Sequence, residues 1–431
     1  MRPRAAAATL PFDLPDEGPP ASGSFEEVLA GFEWEGTPTR CGALPVPGTT
    51  LSVPTFTNEF WTARQRAAHG LHEVSYRACF KPQLPRFFIE RLTTPGDIVY
   101  DPFMGRGTTL VEAALLGRPA YGCDVNPLSH VLCEPRLDPP TLDMVANALR
   151  EVPFERDTEV PADLLVFYHR RTLQQICALR QHLLDKEASG VLTRADRWIR
   201  MVAVNRLTGH SSGFFSVYTL PPNQAVSVKS QAKINARRGQ IPLPRDVSRI
   251  ILRKSRSLLH DVPAFLRDRL QALVPHHRFV TGRASHTPSL PSDSVALAVT
   301  SPPFLDVVDY KTDNWLRCWF CGIDASAVPV TMARQAGTWQ AFVTETLCEV
   351  QRVLGPGGHV AFEVGEVRGG SLRLEELVVP AALAAGLEPA LVLINAQQFT
   401  KTANCWGVAN NQKGTNTNRI VLLRKPRVRR R

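Results

Sequence analysis

A short strand that runs directly into a glycine-rich turn and then a helix is the feature that most restricts this fold. Residues 97–100 read as the strand, 101–109 carry glycines at positions 105 and 107, and 110–116 read as the helix. This order is typical of a doubly wound α/β domain, in which such glycines let the backbone approach a bound nucleotide. The alternative is an ordinary turn between strand and helix, because one Gly-x-Gly is weak evidence.

Acidic residues end two of the predicted strands and indicate which nucleotide the turn would hold. Asp101 would repel a pyrophosphate but can attract the sulfonium-bearing amino acid of S-adenosylmethionine. Twenty-three residues later, the apolar strand 120–123 ends in Asp124, where a carboxylate accepts hydrogen bonds from both ribose hydroxyls. Asn126 lies either along the adenosine or at a helix N-cap. The turn residues expected to contact S-adenosylmethionine are Pro102, Phe103, Gly105, Gly107, Thr108 and Thr109.

A second strand end carries the residues most indicative of chemistry. The apolar strand 295–299 reaches the carboxyl edge, where open α/β sheets keep their active sites. The residues that follow it are Thr300, Ser301, Pro302, Pro303 and Phe304. The exocyclic amine of a base is a poor nucleophile because its lone pair is conjugated with the ring, so a catalyst must hold the amino protons. Ser301 Oγ and the Pro302 carbonyl can do so, and Phe304 can stack on a flipped base.

The simplest alternative for two prolines after a strand is a sharp turn. The joint occurrence of the glycine turn, Asp124 and the Ser-Pro-Pro-Phe segment, each at a strand end, favours an active site instead. With these motifs the chain resembles the amino-methyltransferases of DNA. Its Thr-Ser-Pro-Pro-Phe at 300–304 is most similar to their cytosine-N4 branch, since adenine-N6 members more often begin that tetrad with Asp or Asn.

The resemblance covers residues 70–137 and 278–424. It implies that the segment 76–85 packs against the methionine end of the cofactor, with Tyr76, Lys81 and Pro82 in contact. Further segments similar to the family are 355–358, read as a turn before a strand, and 407–419, read as a polar loop before the last strand. The chain departs from the family at Arg283, where an acidic residue often binds the adenine amino group. Adenine recognition then depends on backbone groups or on Asp293.

The resemblance implies a site-specific methyltransferase acting on the N4 amine of cytosine in double-stranded DNA, with base flipping and direct transfer. A companion restriction endonuclease is a possible partner, and no metal is needed. No Pro-Cys pair lies near the catalytic strand, which counts against methylation at cytosine C5. The alternatives are an adenine-N6 enzyme, an RNA amino-methyltransferase, and a catalytically silent DNA-binding protein on the same scaffold.

The predicted architecture is a Rossmann-like α/β sheet with an inserted, mostly helical domain. Residues 1–55 are rich in Pro, Ala and Gly, and we expect them to form a loosely ordered arm or a wrap over the surface. The cofactor-binding half covers 56–139 and the catalytic half 278–424, and the helical insertion 140–277 between them is the expected target-recognition region. Residues 425–431 form a basic tail.

The insertion carries the strongest local charge. Nine Lys or Arg and one acidic residue, Asp246, fall between positions 229 and 256, in a chain with a net charge of +10. This imbalance predicts phosphate contacts, although a solvated helix face is the alternative. The predicted DNA-binding residues are Asn223, Lys229, Lys233, Arg237 and Arg238. The aromatic and amide-bearing segment 211–224 is a candidate either to wedge into a duplex or to read base edges.

The cysteines and the hydropathy bear on the cellular compartment. Nine cysteines are scattered, and no basic-then-apolar segment opens the sequence, so we expect a cytoplasmic protein. Cys318 and Cys321 have the spacing of a zinc or redox pair. They flank Trp319 and Phe320 without a second such pair, which favours buried thiols. No apolar run approaches the length of a membrane span, about 20 residues.

Overall fold

The computed structural model describes residues 24–46, 49–61, 68–76, 79–219, 225–303, 310–329, 335–367, 372–396 and 417–427. The helices in these ranges are α1 (Phe25–Ala30), α2 (Gln83–Leu92), α3 (Thr108–Leu115), α4 (Leu128–Leu137), α5 (Leu142–Glu151), α6 (Arg170–Ala188), α7 (Arg194–Val204), α8 (Val228–Arg238), α9 (Val247–Leu258), α10 (Ala264–Leu273), α11 (Tyr310–Phe320), α12 (Ala336–Val353) and α13 (Glu375–Ala384). The strands are β1 (Glu33–Trp34), β2 (Thr37–Pro38), β3 (Arg40–Pro45), β4 (Ser52–Asn58), β5 (Val99–Asp101), β6 (Ala120–Asp124), β7 (Arg278–Thr281), β8 (Val295–Thr300), β9 (Leu354–Val364), β10 (Glu366–Val367), β11 (Leu372–Arg373), β12 (Glu388–Ala396) and β13 (Thr417–Arg424).

Nine of these strands form one sheet, in the order β3-β4-β12-β13-β9-β8-β5-β6-β7. From β9 to β7 all neighbours are parallel, whereas β13 is antiparallel to both β9 and β12. Parallel neighbours place their carboxyl ends at one edge of the sheet. The strands that end in Asp101 and Thr300 are direct neighbours, and the strand that ends in Asp124 lies beside the first of them.

The sheet is buried on both faces, as its apolar strands require. In β8, Leu297 and Val299 belong to the core that includes α3, whereas Val295 and Ala298 belong to the core that includes α12 and α13. Successive side chains of a strand point to opposite faces, so one short apolar run contributes to two cores. Helices α5 to α10 lie between β6 and β7 in the chain. The predicted α/β sheet with a helical insertion is therefore confirmed.

The N-terminal segment differs from the prediction of a loosely ordered arm. From residue 24 onward it forms α1 and the strands β3 and β4, which pair with each other and attach to β12 at the edge of the sheet. Val53 and Phe56 are buried in the core, and Asn395 Oδ1 accepts a 2.7 Å hydrogen bond from Phe60 N. The prediction is wrong for the described part of 1–55, because long-range pairing with β12 compensates for its irregular composition.

The segment 355–358 also differs from its interpretation as a turn before a strand. It lies inside β9, between Leu354, which pairs with Val295, and His359, which pairs with Leu297. The segment is therefore a bulge within a paired strand. Gly358 permits it, since a Cβ there would approach the Gly355 carbonyl oxygen to 2.9 Å. Residues 407–416 of the predicted polar loop and 428–431 of the tail lie outside the described residues.

Candidate active site

The site is organised by the meeting of β5 and β8. Thr300 Oγ1 donates a 2.6 Å hydrogen bond to Asp101 Oδ1, and Thr109 Oγ1 donates a 2.9 Å bond to the Val299 carbonyl. Both bonds lie at the carboxyl ends of parallel strands, where the sequence places its two motifs. Thr109 is fully buried, so its hydroxyl joins the glycine turn to the catalytic strand.

Asp101 is a buried carboxyl with an unusual proton affinity. Its side chain is 2% exposed, and its Oδ1 also accepts a 3.0 Å bond from Phe103 N. Burial disfavours the charged form and raises the pKa of Asp101 to about 7, although the bonds from Thr300 and Phe103 oppose the shift. The charge of this carboxyl therefore changes near neutral pH, and a cationic ligand would favour its ionised form.

Asp124, at the end of β6, holds the loops on either side of it. Its Oδ2 accepts a 2.9 Å bond from Gly105 N, and its Oδ1 accepts a 2.8 Å bond from Asn126 N. Burial raises the pKa of Asp124, and these backbone bonds lower it. Asn126 Oδ1 accepts a 3.0 Å bond from Leu128 N at the start of α4, which supports the N-cap alternative for Asn126.

The glycine turn depends on two residues that lack a Cβ. Gly105 and Gly107 have φ values of +48° and +73°, in the left-handed region. A Cβ at Gly107 would collide with Cys133 Sγ, whereas a Cβ at Gly105 would lie 3.6 Å from the ring of Tyr76. Thr108 Oγ1 accepts a 3.2 Å bond from Arg106 Nε. The turn is thus packed on one side by α4 and faces Tyr76 on the other.

The remaining predicted cofactor contacts frame this turn. Pro102 is buried, and the ring of the half-buried Phe103 lies 5.6 Å from the ring of Phe342. Lys81 and Pro82 directly precede α2. The pKa of Lys81 is lowered by burial and by the nearby Arg106 guanidinium. Of these residues, Tyr76 lies against the turn beside Gly105, and the contact of Tyr76, Lys81 and Pro82 with a cofactor stays a prediction.

Ser301 contacts a carboxyl that the sequence motifs do not include. Glu363 on β9 lies within hydrogen-bonding reach of the Ser301 side chain, and its Oε1 accepts a 2.5 Å bond from Asn418 Nδ2 on β13. Glu363 is 6% exposed, and burial raises its pKa to about 7, against the lowering effect of Asn418 and Ser301. The available signal was an acidic residue at an otherwise apolar position of a predicted strand.

The two prolines have different surroundings. Pro302 is buried, and Pro303 is half-buried with its carbonyl oxygen accepting a 2.9 Å bond from Trp339 Nε1 on α12. The Pro303 carbonyl is therefore used to fix the loop. Phe304, the predicted stacking residue, lies outside the described residues.

The two candidates for adenine recognition are separated by the fold. Gly282 N donates a 2.9 Å bond to the Asp124 carbonyl, so the backbone before the exposed Arg283 lies beside the β6 end. Asp293 instead lies two residues before β8 begins, at the opposite edge, and pairs with Lys425 Nζ at 2.7 Å. The Asp293 alternative is wrong because of this position, and the backbone alternative remains.

The predicted DNA-binding residues of α8 share one helix face. Lys229, Lys233 and Arg237 are spaced four residues apart and are all exposed. We call these three residues the basic stripe. No ion pair to an acidic side chain involves them within the described part of the chain. Arg238 lies over the ring of Tyr218, 3.8 Å from its centroid. Asn223 lies outside the described residues.

The predicted aromatic wedge at 211–224 is wrong for its two phenylalanines. Phe214 is 7% exposed and Phe215 is 1% exposed, since both pack in the interior. Arg206 covers the Phe214 ring at 4.1 Å. A buried ring cannot enter a duplex without unfolding its own surroundings. Residues 220–224 of this segment lie outside the described residues.

Helix α11 connects the insertion to the catalytic end of the sheet. Its Arg317 Nη2 donates a 3.0 Å bond to the Ser75 carbonyl, next to Tyr76. On the same helix, Trp315 Nε1 donates a 3.3 Å bond to the Ala225 carbonyl, three residues before α8. The start of the basic helix is thus tied to the wall of the cofactor turn.

Two further expectations concern cysteines and membranes. Cys318 and Cys321 are buried, and burial raises the pKa of each thiol, to about 11 and about 12. They are thus buried thiols, as expected. Across the described ranges, no group of three or more His, Cys, Asp or Glu side chains is arranged to hold a metal ion. None of the described helices combines the length and the apolar character needed to cross a membrane.

Comparisons with known proteins find similarity to DNA methylases. The DNA methylase family model matches residues 52–130. The Type II methyltransferase M.MjaII of Methanocaldococcus jannaschii is 40% identical over 74 residues, which are 17% of this chain and 14% of that protein. The Type II methyltransferase M.BsoBI of Geobacillus stearothermophilus is 22% identical over 298 residues, 64% of this chain and 57% of that protein.

Among solved structures, TrmN from Thermus thermophilus aligns at 14% identity and a TM-score of 0.31, over 81% of this chain and 50% of that chain. The chain therefore spans less than two thirds of each of these relatives. The sequence similarity includes both Asp101 and Asp124, together with the strand, turn and helix between them.

Proposed function

We propose that the chain is an S-adenosylmethionine-dependent DNA amino-methyltransferase that methylates the exocyclic N4 amine of cytosine at a specific site in duplex DNA, an interpretation that its similarity to the DNA methylase family and to Type II methyltransferases supports. One observation carries the proposal. The strand end bearing Asp101 is hydrogen-bonded to the strand end bearing Thr300 and Ser301. A donor site and an acceptor site must adjoin for direct methyl transfer, and these two do.

The residues at the first strand end fit S-adenosylmethionine. Gly105 leaves space between the turn and Tyr76 that a side chain would fill, and two carboxyls, the buried Asp101 and the half-buried Asp124, flank this turn. Asp101 would bind the cationic amino acid part of the cofactor, and Asp124 would bind its ribose. The cofactor supplies a methyl group on a sulfonium. Burial of the two carboxyls strengthens their attraction for that positive charge.

Ser301 is oriented as an acceptor by Glu363. A hydroxyl has one hydrogen and two lone pairs, so a Ser301 hydroxyl that donates to Glu363 keeps its lone pairs for a substrate N–H. The Pro302 carbonyl supplies a second acceptor. Together they would hold the two amino protons and draw the lone pair out of conjugation with the ring. Glu363 is a positioning residue, because it acts through Ser301.

The Thr-Ser-Pro-Pro-Phe segment favours cytosine over adenine as the acceptor base. The basic stripe favours a nucleic acid as the substrate, and the family resemblance favours duplex DNA. The stripe presents three cations on one face, as phosphate contacts require. An amino group inside a stacked duplex is inaccessible, so base flipping accompanies the proposal. A companion restriction endonuclease remains an expected partner, and the cytoplasm remains the expected compartment.

The test is to incubate the purified chain with unmethylated plasmid DNA and isotopically labelled S-adenosylmethionine. The DNA is then digested to nucleosides, and the labelled product is identified by mass. We expect N4-methylcytosine. Labelled N6-methyladenine would contradict the base assignment, and transfer only to a structured tRNA mixture would favour an RNA substrate.

Two serines that flank β8 provide the matched variants. Ser301→Ala should lower the transfer rate by about a hundredfold or more, by analogy with the loss of one preorganised hydrogen-bonding group. Ser294→Ala alters an exposed hydroxyl at the other end of β8, which bonds to the Pro291 carbonyl, and should leave the rate unchanged. Equal rates for Ser301→Ala and the unaltered chain would contradict the assigned role.

A further inference from the structure

The loop between α8 and α9 exposes two large apolar side chains. Ile241 is 75% exposed and Leu243 is 59% exposed. They occur in the sequence Ile-Pro-Leu-Pro over residues 241–244. Exposed aliphatic side chains that stand singly are ordinary, but two that alternate with prolines form an apolar point on the surface. We call Ile241 and Leu243 the aliphatic tip.

The backbone on either side of the tip is held in place. Gln240 Nε2 donates to the Tyr218 carbonyl at 3.0 Å and to Asn235 Oδ1 at 2.8 Å. After the tip, Arg245 N donates a 2.7 Å bond to Thr172 Oγ1 on α6, and this hydroxyl lies 3.1 Å from the Arg245 carbonyl oxygen. The two prolines restrict φ between these anchors. The side chains are therefore exposed on a fixed backbone and would lose little conformational freedom on binding.

The charges that flank the tip along the chain favour a polyanionic partner. Arg237 and Arg238 precede it, and Arg249 and Arg253 follow it on α9. Asp246, the acidic residue of this stretch, uses its Oδ1 to accept a 2.9 Å bond from Arg249 N at the start of α9. Protein wedges that insert between base pairs combine an apolar tip with flanking cations that hold the phosphates. A partner that bound through charge alone would give no role to Ile241 and Leu243.

We propose that Ile241 and Leu243 form a rigid wedge that enters duplex DNA and unstacks a base step while the arginines that flank the tip, Arg237, Arg238 and Arg249, hold the backbone. This role replaces the one predicted for Phe214 and Phe215, which are buried. It deepens the proposed function and rests on it, because unstacking lowers the cost of swinging a base into the site of Ser301.

The wedge is tested by its effect on DNA twist, with the full chain and closed circular plasmid DNA. Topoisomerase relaxation in the presence of the unaltered chain should leave a shifted linking number after the protein is removed, since unstacking unwinds the duplex. Ile241→Ser with Leu243→Ser should reduce this shift by about half or more, and methyl transfer by about tenfold, at DNA-saturating protein. Phe265→Ser removes a side chain of similar exposure, 73%, from α10 and should change neither value.

An unchanged linking-number shift in the Ile241→Ser, Leu243→Ser protein would overturn the wedge. So would a change in its oligomeric state by sedimentation with normal DNA unwinding, because the tip would then be a contact between two copies. Loss of binding to anionic lipid vesicles alone would overturn the wedge in favour of a membrane contact. Absence of methyl transfer by the unaltered chain on the same plasmid would contradict the proposed function, and the linking-number result would still decide the wedge.

Discussion

Thr300 Oγ1 lies 2.6 Å from Asp101 Oδ1, and this hydrogen bond joins the carboxyl that we propose binds the cofactor to the residue before Ser301. The bond is buried at both ends. Charge-assisted bonds of this kind fix geometry more strongly than neutral ones. The relationship explains how motifs about 200 residues apart in the chain can act on one ligand pair.

Removing the Thr300 hydroxyl should weaken cofactor binding. Thr300→Val keeps the volume but leaves Asp101 without one donor, which raises its pKa further and disfavours the ionised form. We expect S-adenosylmethionine affinity at pH 7 to fall by roughly tenfold, measured by calorimetry, as for a lost bond to a charged group. Thr300→Ser restores the donor and should recover most of the affinity. Equal affinity for the Val and Ser variants would contradict the role of this bond.

Cofactor binding should depend on pH through Asp101. Its pKa is raised to about 7, so the carboxylate forms as pH rises through that value. Affinity for the cationic cofactor should therefore be lower at pH 6 than at pH 8, by roughly tenfold from the ionised fractions. Asp101→Asn should bind weakly and show little dependence over this range. If the affinity of the wild-type protein did not change between pH 6 and pH 8, Asp101 would not be the titrating group.

Glu363→Gln should affect stability and catalysis in opposite directions. The pKa of Glu363 is raised by burial from 4.5 to about 7, so the folded state holds a proton that the unfolded state releases, and stability falls between these values as pH rises. At pH 8 the Gln variant should gain stability on the order of 3 kcal/mol at most, measured in urea.

The same variant should transfer methyl groups more slowly, since a glutamine can no longer orient the Ser301 hydroxyl through a carboxylate. At saturating S-adenosylmethionine, wild-type kcat should decrease as the pH drops below about 7, whereas kcat of Glu363→Gln should be low and flat. A merely structural role for Glu363 would leave the shape of this pH profile unchanged.

Gly107 should tolerate no side chain. Gly107→Ala puts a Cβ against Cys133 Sγ at a left-handed φ, and we expect a loss of about 2 to 5 kcal/mol in the free energy of unfolding. Gly190 has a similar φ of +69°, but a Cβ added there would meet no atom within 4 Å. Gly190→Ala should therefore lose only about 1 to 2 kcal/mol in the same urea titration. Equal losses would show that packing against α4 is unimportant.

The basic stripe should set the salt dependence of DNA binding. Replacing Lys229, Lys233 and Arg237 by alanine removes up to three phosphate contacts, and each contributes about 0.9 to the slope of log K against log salt. Arg150→Ala, at an exposed position on α5, should not change the slope. Replacing Arg237 and Arg238 together should also flatten the slope. Binding that keeps its slope in these variants would place the DNA elsewhere.

Two features could be predicted from the sequence because they are local. One is the order of strand, glycine turn and helix, and the other is the set of acidic or Ser-Pro-Pro residues at the ends of three strands. Hydrophobic periodicity and turn chemistry depend on residues within a few positions of each other. Asp101, Asp124 and Ser301 could therefore be selected, and so could the helical insertion. The membership of Ser52–Asn58 in the sheet was not readable, since that strand depends on pairing with Glu388–Ala396 more than 300 residues away.

Sequence by itself thus determined the chemical groups of the site and the class of fold that holds them. Tertiary structure alone decided which groups touch. Glu363 reaches Ser301 because β8 and β9 are neighbours. Asp293 is excluded from adenine recognition because it lies at the amino end of β8, opposite the carboxyl ends that form the site. It also decided exposure, burying Phe214 and leaving Ile241 at the surface. Burial and contact are properties of how distant segments pack, and residue type constrains them only on average.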